Sequence, residues 1–185
     1  MLIQQNGYEC DYEMRLFYKL FFGEDEDVCV YSNFEYENNV INVYTQIIYE
    51  GETYFDDFYY SFNSDNKKKQ FIKKIFTTSC TKSFCHTASK IKNVNLPWGV
   101  MSGIRPAKLV RELFDEGHSD NEVTDILKDI YEVADEKINL AKTVAKNEEK
   151  LLNEIGENSV SIYIGIPFCP TRCLYCSFVS TDIRV

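Results

Sequence analysis

Apolar residues recur along this chain with two different periods, and the changes of period mark out its elements. Met14, Phe17, Tyr18 and Phe21 fall at spacings of three and four, which predicts a helix from about Cys10 to Phe22 with Gly23 as its C-cap. The acidic run Glu24 to Asp27 then reads as a solvated turn. Three aromatic-rich runs follow, Val28 to Tyr36, Val40 to Tyr49 and Thr53 to Phe62, separated by Glu37-Asn38-Asn39 and Glu50-Gly51-Glu52. They predict an antiparallel meander. Their Tyr and Phe side chains have an ordinary reading, the filling of a half-buried sheet face, and a functional one, a stacking platform for a flat ligand. The ordinary reading is favoured, because aromatics are good strand formers.

Asp65 or Asn66 is placed to cap a helix running through Lys67 to Phe76, whose lysines form the wet side of an amphipathic face carrying Phe71, Ile72, Ile75 and Phe76. From Arg105 the chain turns strongly helical. Pro106 suits a first helical position, Leu109, Val110, Leu113 and Phe114 make an apolar face, and Gly117 ends the element. Ser119-Asp-Asn-Glu122 is a capping box opening a helix that buries Val123, Ile126, Leu127 and Ile130. A longer helix spans about Ala134 to Ile155, with Ile138, Ala141, Ala145, Leu152 and Ile155 inward and Gly156 closing it. Trp98, beside Pro97 and Gly99, is expected to plug the strand-rich part against the helical part. Arg105 and Lys108 stand at a helix start, where they serve either as an anion site or as structural surface charges.

Composition narrows the function. The 185 residues suit one or two domains, and 44% hydrophobic content is enough for a core. A net charge of −9 argues against a nucleic-acid partner. No apolar run approaches the roughly 20 residues needed to span a bilayer, so no membrane partner is expected. The reading is cytoplasmic, where thiols stay reduced and clustered cysteines bind metal more readily than they pair.

The chemistry is concentrated in SIYIGIPFCPTRCLYCSF, Ser161 to Phe178. Ile162, Ile164 and Ile166 alternate with Tyr163 and Gly165, which predicts a strand, and Pro167 blocks further pairing. Cys169, Cys173 and Cys176 follow as C-x3-C-x2-C, so that three thiolates converge from one loop at the C-terminal end of a strand, where parallel α/β folds keep their active sites. Structural zinc takes four ligands, and the histidines, His86 and His118, are remote in sequence. An electron-transfer iron-sulfur cluster also takes four thiolates. Three leave one iron open to a substrate or cofactor. Cys80, Cys85 and His86, unevenly spaced on a helix, do not make a second tetrahedral set, although Cys80 or Cys85 remains a candidate fourth thiolate for a non-enzymatic iron-sulfur module.

This stretch resembles the cluster loop of radical S-adenosylmethionine enzymes. The wider string from Tyr163 to Cys176 is similar to the oxygen-independent coproporphyrinogen III oxidase family, and Pro97-Trp98-Gly99 with Gly103-Ile104-Arg105-Pro106-x-Lys108-Leu109 resembles its HemZ-like branch. Before Pro97 the likeness is one of layout alone. The resemblance implies a 4Fe-4S cluster on Cys169, Cys173 and Cys176, with S-adenosylmethionine chelating the fourth iron. One electron, from an electron donor, would cleave it to methionine and an adenosyl radical that takes hydrogen from a propionate of a tetrapyrrole substrate. Loss of carbon dioxide would then leave a vinyl group. Tyr163 matches a tyrosine near cluster and cofactor, and is the candidate catalytic residue; Tyr175 matches an aromatic position near the adenine. The flat ligand of the aromatic platform would be a porphyrin. Two departures bear on substrate: decarboxylating members usually carry His at the position of Gly165 and a further Cys at that of Phe178. A haem-chaperone branch also lacks that Cys, which keeps haem binding as a second reading.

The fold expected is therefore an α+β N-terminal domain, residues 1–156 (helix, three-stranded antiparallel meander, then helices), followed in 157–185 by the first strand and cluster loop of an incomplete radical SAM α/β barrel. A complete barrel needs about 250 residues. The chain as given is accordingly expected to bind S-adenosylmethionine weakly and not to turn over.

Overall fold

A computed structural model describes residues 2–23, 27–62, 69–155, 159–160, 162–171 and 181–182. The chain divides into two compact units, Met1–Glu149 and Lys150–Val185. The first is α+β. Its elements run β1 (Leu2–Asn6), α1 (Asp11–Phe22), β2 (Cys29–Glu37), β3 (Val40–Tyr49), β4 (Glu52–Ser61), α2 (Lys69–Ser89), α3 (Pro106–Asp115), α4 (Asp120–Tyr131) and α5 (Asp135–Asn153), the last crossing the division.

The expected meander forms as β2-β3-β4, antiparallel, with Glu37 opposite Val40 and Tyr49 opposite Glu52. Each hairpin thus has a two-residue turn, and both turns use left-handed backbone: Asn38 and Asn39 at φ 50° and 63°, Glu50 and Gly51 at 52° and 81°. Turns of that hand match the twist of the strands they join. The sheet has a fourth strand the pattern did not predict. β1 pairs parallel with β2, Leu2 to Cys29 through Asn6 to Asn33, so the sheet is mixed in the order β1-β2-β3-β4. Only Ile3 gives β1 an apolar inward residue. Gln5, the other inward residue, has a substitute role: its Oε1 accepts the Cys10 backbone N–H at 2.8 Å and the Cys10 thiol at 3.4 Å, tying β1 to the start of α1.

One face of the sheet is covered by α1 and α2. Met14, Phe17, Tyr18 and Phe21 of α1 are buried, as the spacing predicts, and so is Phe22. α2 is longer than the expected segment, and its second half is nearly all buried although rich in Ser and Thr. The hydroxyls are satisfied within the fold: Ser83 Oγ donates to Thr45 Oγ1 at 2.7 Å, and Thr87 Oγ1 donates to the Ser83 carbonyl at 2.8 Å. Small hydroxyl side chains let α2 sit close on β3 without leaving polar atoms unpaired. The cap expected from Asp65 or Asn66 lies outside the described residues. On the sheet, Phe34, Tyr36 and Phe62 pack against Phe76 with ring centroids 4.9–6.5 Å apart, whereas Phe55 and Tyr59 are exposed on the other face. Most of the aromatic content therefore fills a half-buried face.

The helical part follows the sequence closely. Ser119 and Glu122 form the capping box of α4, with the Ser119 N–H donating to Glu122 Oε2 at 2.7 Å. Ile138, Ala141 and Ala145 of α5 are buried, but Leu152 and Ile155, expected to face inward, are 48% and 53% exposed. Among the described residues the buried positions of α5 reach only as far as Ala145. Trp98 is half-buried, and the described contact of its ring is Lys137 Nζ at 5.9 Å, on α5. The turn that carries it grips the corner between α4 and α5: the Val100 N–H donates to the Tyr131 carbonyl at 2.8 Å and the Ala134 N–H to the Pro97 carbonyl at 3.0 Å.

Among the described residues, the buried core of the first unit draws on residues Cys10 to Ala145 and does not include Cys169. Replacing Cys169 by Ala is therefore expected to leave the thermal midpoint of this unit within about 1 °C of wild type, by far-UV circular dichroism. A drop of several degrees would show that the loop supports the fold.

Candidate functional site

The strand expected over Ile162–Ile166 does not form. Residues 162–167 make no ladder pairing, and Ile162, Tyr163, Ile164 and Ile166 are 79–89% exposed. Alternation alone does not make a strand; a neighbouring strand must supply the hydrogen bonds, and among the described residues none lies beside this segment. Pairing begins after Pro167 instead. A short strand β5 (Phe168–Cys169) runs parallel to β6 (Thr181–Asp182), with Phe168 opposite Thr181 and Cys169 opposite Asp182. This brings together the two ends of the segment that carries the three cysteines, within the roughly 4.8 Å of neighbouring strands.

Cys169 is a half-buried, free thiol in β5. Cys173, Tyr175 and Cys176 lie outside the described residues. Tyr163 is exposed, and its ring lies against Gly165: a Cβ built on Gly165 would stand 3.1 Å from Tyr163 Cε1. A side chain at Gly165 is thus accommodated only by moving that ring. Among the described residues no three His, Cys, Asp or Glu side chains are grouped to hold a metal ion. Cys80 and Cys85 are buried in the core, while His86 turns to carboxylates.

That His86 cluster is a feature the sequence did not disclose. His86 Nε2 lies 3.0–3.1 Å from both carboxylate oxygens of Glu132, and Nδ1 lies 3.5 Å from Asp56 Oδ2. The buried Lys82 ammonium sits 3.5 Å from Glu132 Oε1 and donates to the Asp129 carbonyl. Lys90 Nζ closes the group at 2.9 Å from Asp56 Oδ1. The hydrogen bond that His86 donates to the Glu132 carboxylate raises the His86 pKa, against the effect of burial. Burial pushes the Glu132 carboxyl up, but His86 and Lys82 outweigh it and leave it below its usual range. Burial lowers the Lys82 pKa, partly offset by Glu132. The members come from β4, α2 and the end of α4, so no sequence window contains them.

The pH dependence follows from these directions. A raised histidine stabilises fully below its unfolded value of about 6.5 and loses that contribution as pH rises through the folded value. A lowered carboxylate stabilises fully above about 4.5 and loses it as pH falls through the folded value. Both are complete between about pH 4.5 and 6.5. The thermal midpoint is expected to fall as pH is raised from about 6.5, and His86→Gln to flatten that limb. Parallel profiles for the two proteins above pH 6.5 would remove His86 as the cause.

A cavity of about 740 Å³ in the first unit lies among α2, α3 and α4. Its rim carries Glu112, Glu116, Glu122 and Asp125 against Lys74 and His118. A propionate-bearing tetrapyrrole is poorly matched to it, because like charges oppose. Arg105 and Lys108 at the start of α3 are exposed, with Lys108 3.4 Å from Glu112.

A curated protein from Bacillus subtilis, the oxygen-independent coproporphyrinogen-III oxidase-like protein HemZ, is 33% identical over 125 residues, 66% of this chain. Over that stretch the chain is HemZ-like. The HemZ-like chain spans 25% of that relative's length. No protein-family model and no solved structure matches it. The HemZ-like relationship agrees with the α+β architecture of the first unit, and no helix among the described residues is long and apolar enough to cross a membrane.

Proposed function

We propose that this chain is part of a cytoplasmic radical S-adenosylmethionine oxidoreductase of the coproporphyrinogen-oxidising type. In this reading residues 1–156 are its N-terminal α+β domain and 157–185 open its catalytic α/β barrel. The observation that carries the reading is the Cys169, Cys173, Cys176 array within Pro-Phe-Cys-Pro-Thr-Arg-Cys-Leu-Tyr-Cys. The donor set suits iron: three soft thiolates from one segment, one of them reduced and half-buried, with the segment ends drawn together by β5 and β6.

Cys169, Cys173 and Cys176 would hold three irons of a 4Fe-4S cluster, leaving the fourth for S-adenosylmethionine. When bound and reduced by an electron donor, this pair supplies the one-electron chemistry by which hydrogen is taken from a tetrapyrrole propionate. The chain's own residues bind and enclose. Tyr163 and Tyr175 would flank the cofactor, Tyr163 from the exposed run before the first cysteine. The apolar side chains of Ile162, Ile164 and Ile166 would exclude water once covered by further barrel strands.

Anaerobic reconstitution with iron and sulfide tests this. The chain is expected to take up about four irons with oxygen-sensitive visible absorbance, and Cys173→Ala to lose most of it. Zinc bound in preference to iron, or absorbance unchanged in Cys173→Ala, would overturn the assignment. Phe178, where a haem-chaperone branch also lacks the further Cys, favours a second reading, a haem-binding relative. Tight haem binding by the whole protein without coproporphyrinogen turnover would select it.

A further inference from the structure

The groove among α2, α3 and α4 has the form of a seat for another helix. Its volume, about 740 Å³, falls within the roughly 300–1,000 Å³ of binding cavities. Leu109 and Leu113 on α3, and Ile126 and Ile130 on α4, stand four residues apart and make two apolar ridges, with Phe71 of α2 and Tyr131 completing the floor. Rows at that spacing are what a third helix packs between. Glu112 and Glu116 edge the floor on the α3 side, Glu122 and Asp125 on the α4 side. Among the described residues the lining lysine is Lys74, whose Nζ is drawn over the Tyr131 ring, 5.2 Å from its centroid, and Lys108 Nζ lies 3.4 Å from Glu112, so the carboxylates of the rim outnumber the lysines beside them.

An apolar strip edged on both sides by carboxylates is complementary to a helix whose apolar stripe is flanked by Lys and Arg. A second copy of this chain fits less well, because a two-fold contact would set acidic rim against acidic rim in a protein of net charge −9. Phosphate-bearing surfaces are repelled for the same reason. We propose that this groove docks a basic amphipathic helix of a partner protein. The proposal is independent of whether Cys169 holds a cluster.

Fluorescence anisotropy of the 185-residue chain tests it. The probe is a labelled helical peptide of about 18 residues, Leu on one stripe and Lys elsewhere. It is expected to bind at least about tenfold more tightly than a scrambled peptide of the same composition, which has the charge without the stripe, and than the Leu/Glu peptide of the same pattern. Glu112→Lys with Glu116→Lys should weaken it about tenfold, whereas Glu35→Lys with Asp57→Lys on the open sheet face should change it less than about twofold. Ile126→Ser, checked for an unchanged melting curve, should also weaken it by about tenfold. Equal binding of the scrambled peptide overturns the proposal, as does equal loss from the two charge-reversed pairs. Self-association by sedimentation that Ile126→Ser abolishes would also overturn it, in favour of a second copy.

Discussion

Gly99→Ala is expected to destabilise the first unit by about 3–5 kcal/mol, from positive-φ strain and overpacking together. Gly99 has φ +54°, and a Cβ there would lie 1.9 Å from the Tyr131 carbonyl oxygen and 2.6 Å from the Glu132 carbonyl. Both neighbours are backbone, held by the hydrogen bonds from Val100 to Tyr131 and from Ala134 to Pro97. They cannot rotate away as a side chain would. Gly51→Ala is the control, since Gly51 shares the sign of φ, at +81°, but has open space around its missing Cβ. It should cost only about 1 kcal/mol, the conformational part. Urea unfolding at 25 °C measures both, and a Gly99→Ala loss no larger than that of Gly51→Ala would show that the close approach carries no energy. Glu132 belongs to the same corner, so Gly99→Ala should also disturb its contact with His86.

Phe84→Ala is expected to cost about 3–5 kcal/mol by leaving a cavity that a helix-on-sheet interior closes only in part. The side chain is fully buried and meets the rings of Phe21 and Phe22 at 6.2 and 6.5 Å, both near edge-to-face. Its loss removes an aromatic contact between α2 and α1. Amide exchange in α1 should therefore accelerate more than in β3. By contrast Phe55→Ala, on a side chain 57% exposed, should cost under about 1 kcal/mol. If the two substitutions cost the same, the core is not where the packing places it.

What could be read from sequence was local. The helix faces of α1, α3 and α4, the capping box at Ser119 and Glu122, and the three strands of the meander each depend on residues a few positions apart, where period and turn chemistry act directly. β1 escaped because a five-residue strand with one inward apolar side chain has no period to detect; its partner and the role of Gln5 are tertiary. Burial of the second half of α2 escaped because its inward face is built of hydroxyls, whose satisfaction by Thr45 and by helix carbonyls is settled only on docking. Ile162 to Ile166 failed in the opposite sense, since their alternation is clear and the pairing partner is lacking among the described residues. For the site, the cysteine spacing was legible because three ligands fall within one short segment. The His86 cluster was not, because its carboxylates, Asp56 and Glu132, lie 30 and 46 positions from His86.

The two-residue turns at Asn38-Asn39 and Glu50-Gly51 also bear on the order of folding. Their strands pair with immediate neighbours in sequence, so the β2-β3-β4 meander closes through short loops, the kind of contact that forms on a timescale of about 1–10 μs. β1 differs. It joins β2 only across the whole of α1, and it rests on Gln5 and Ile3. During synthesis β1 leaves the ribosome before its partner exists, and β2 is itself completed as a hairpin only after β3 has emerged. Of the four strands of this sheet the first to be made is thus the last to be placed, and until then the β2 edge it will occupy stands open to any other extended segment.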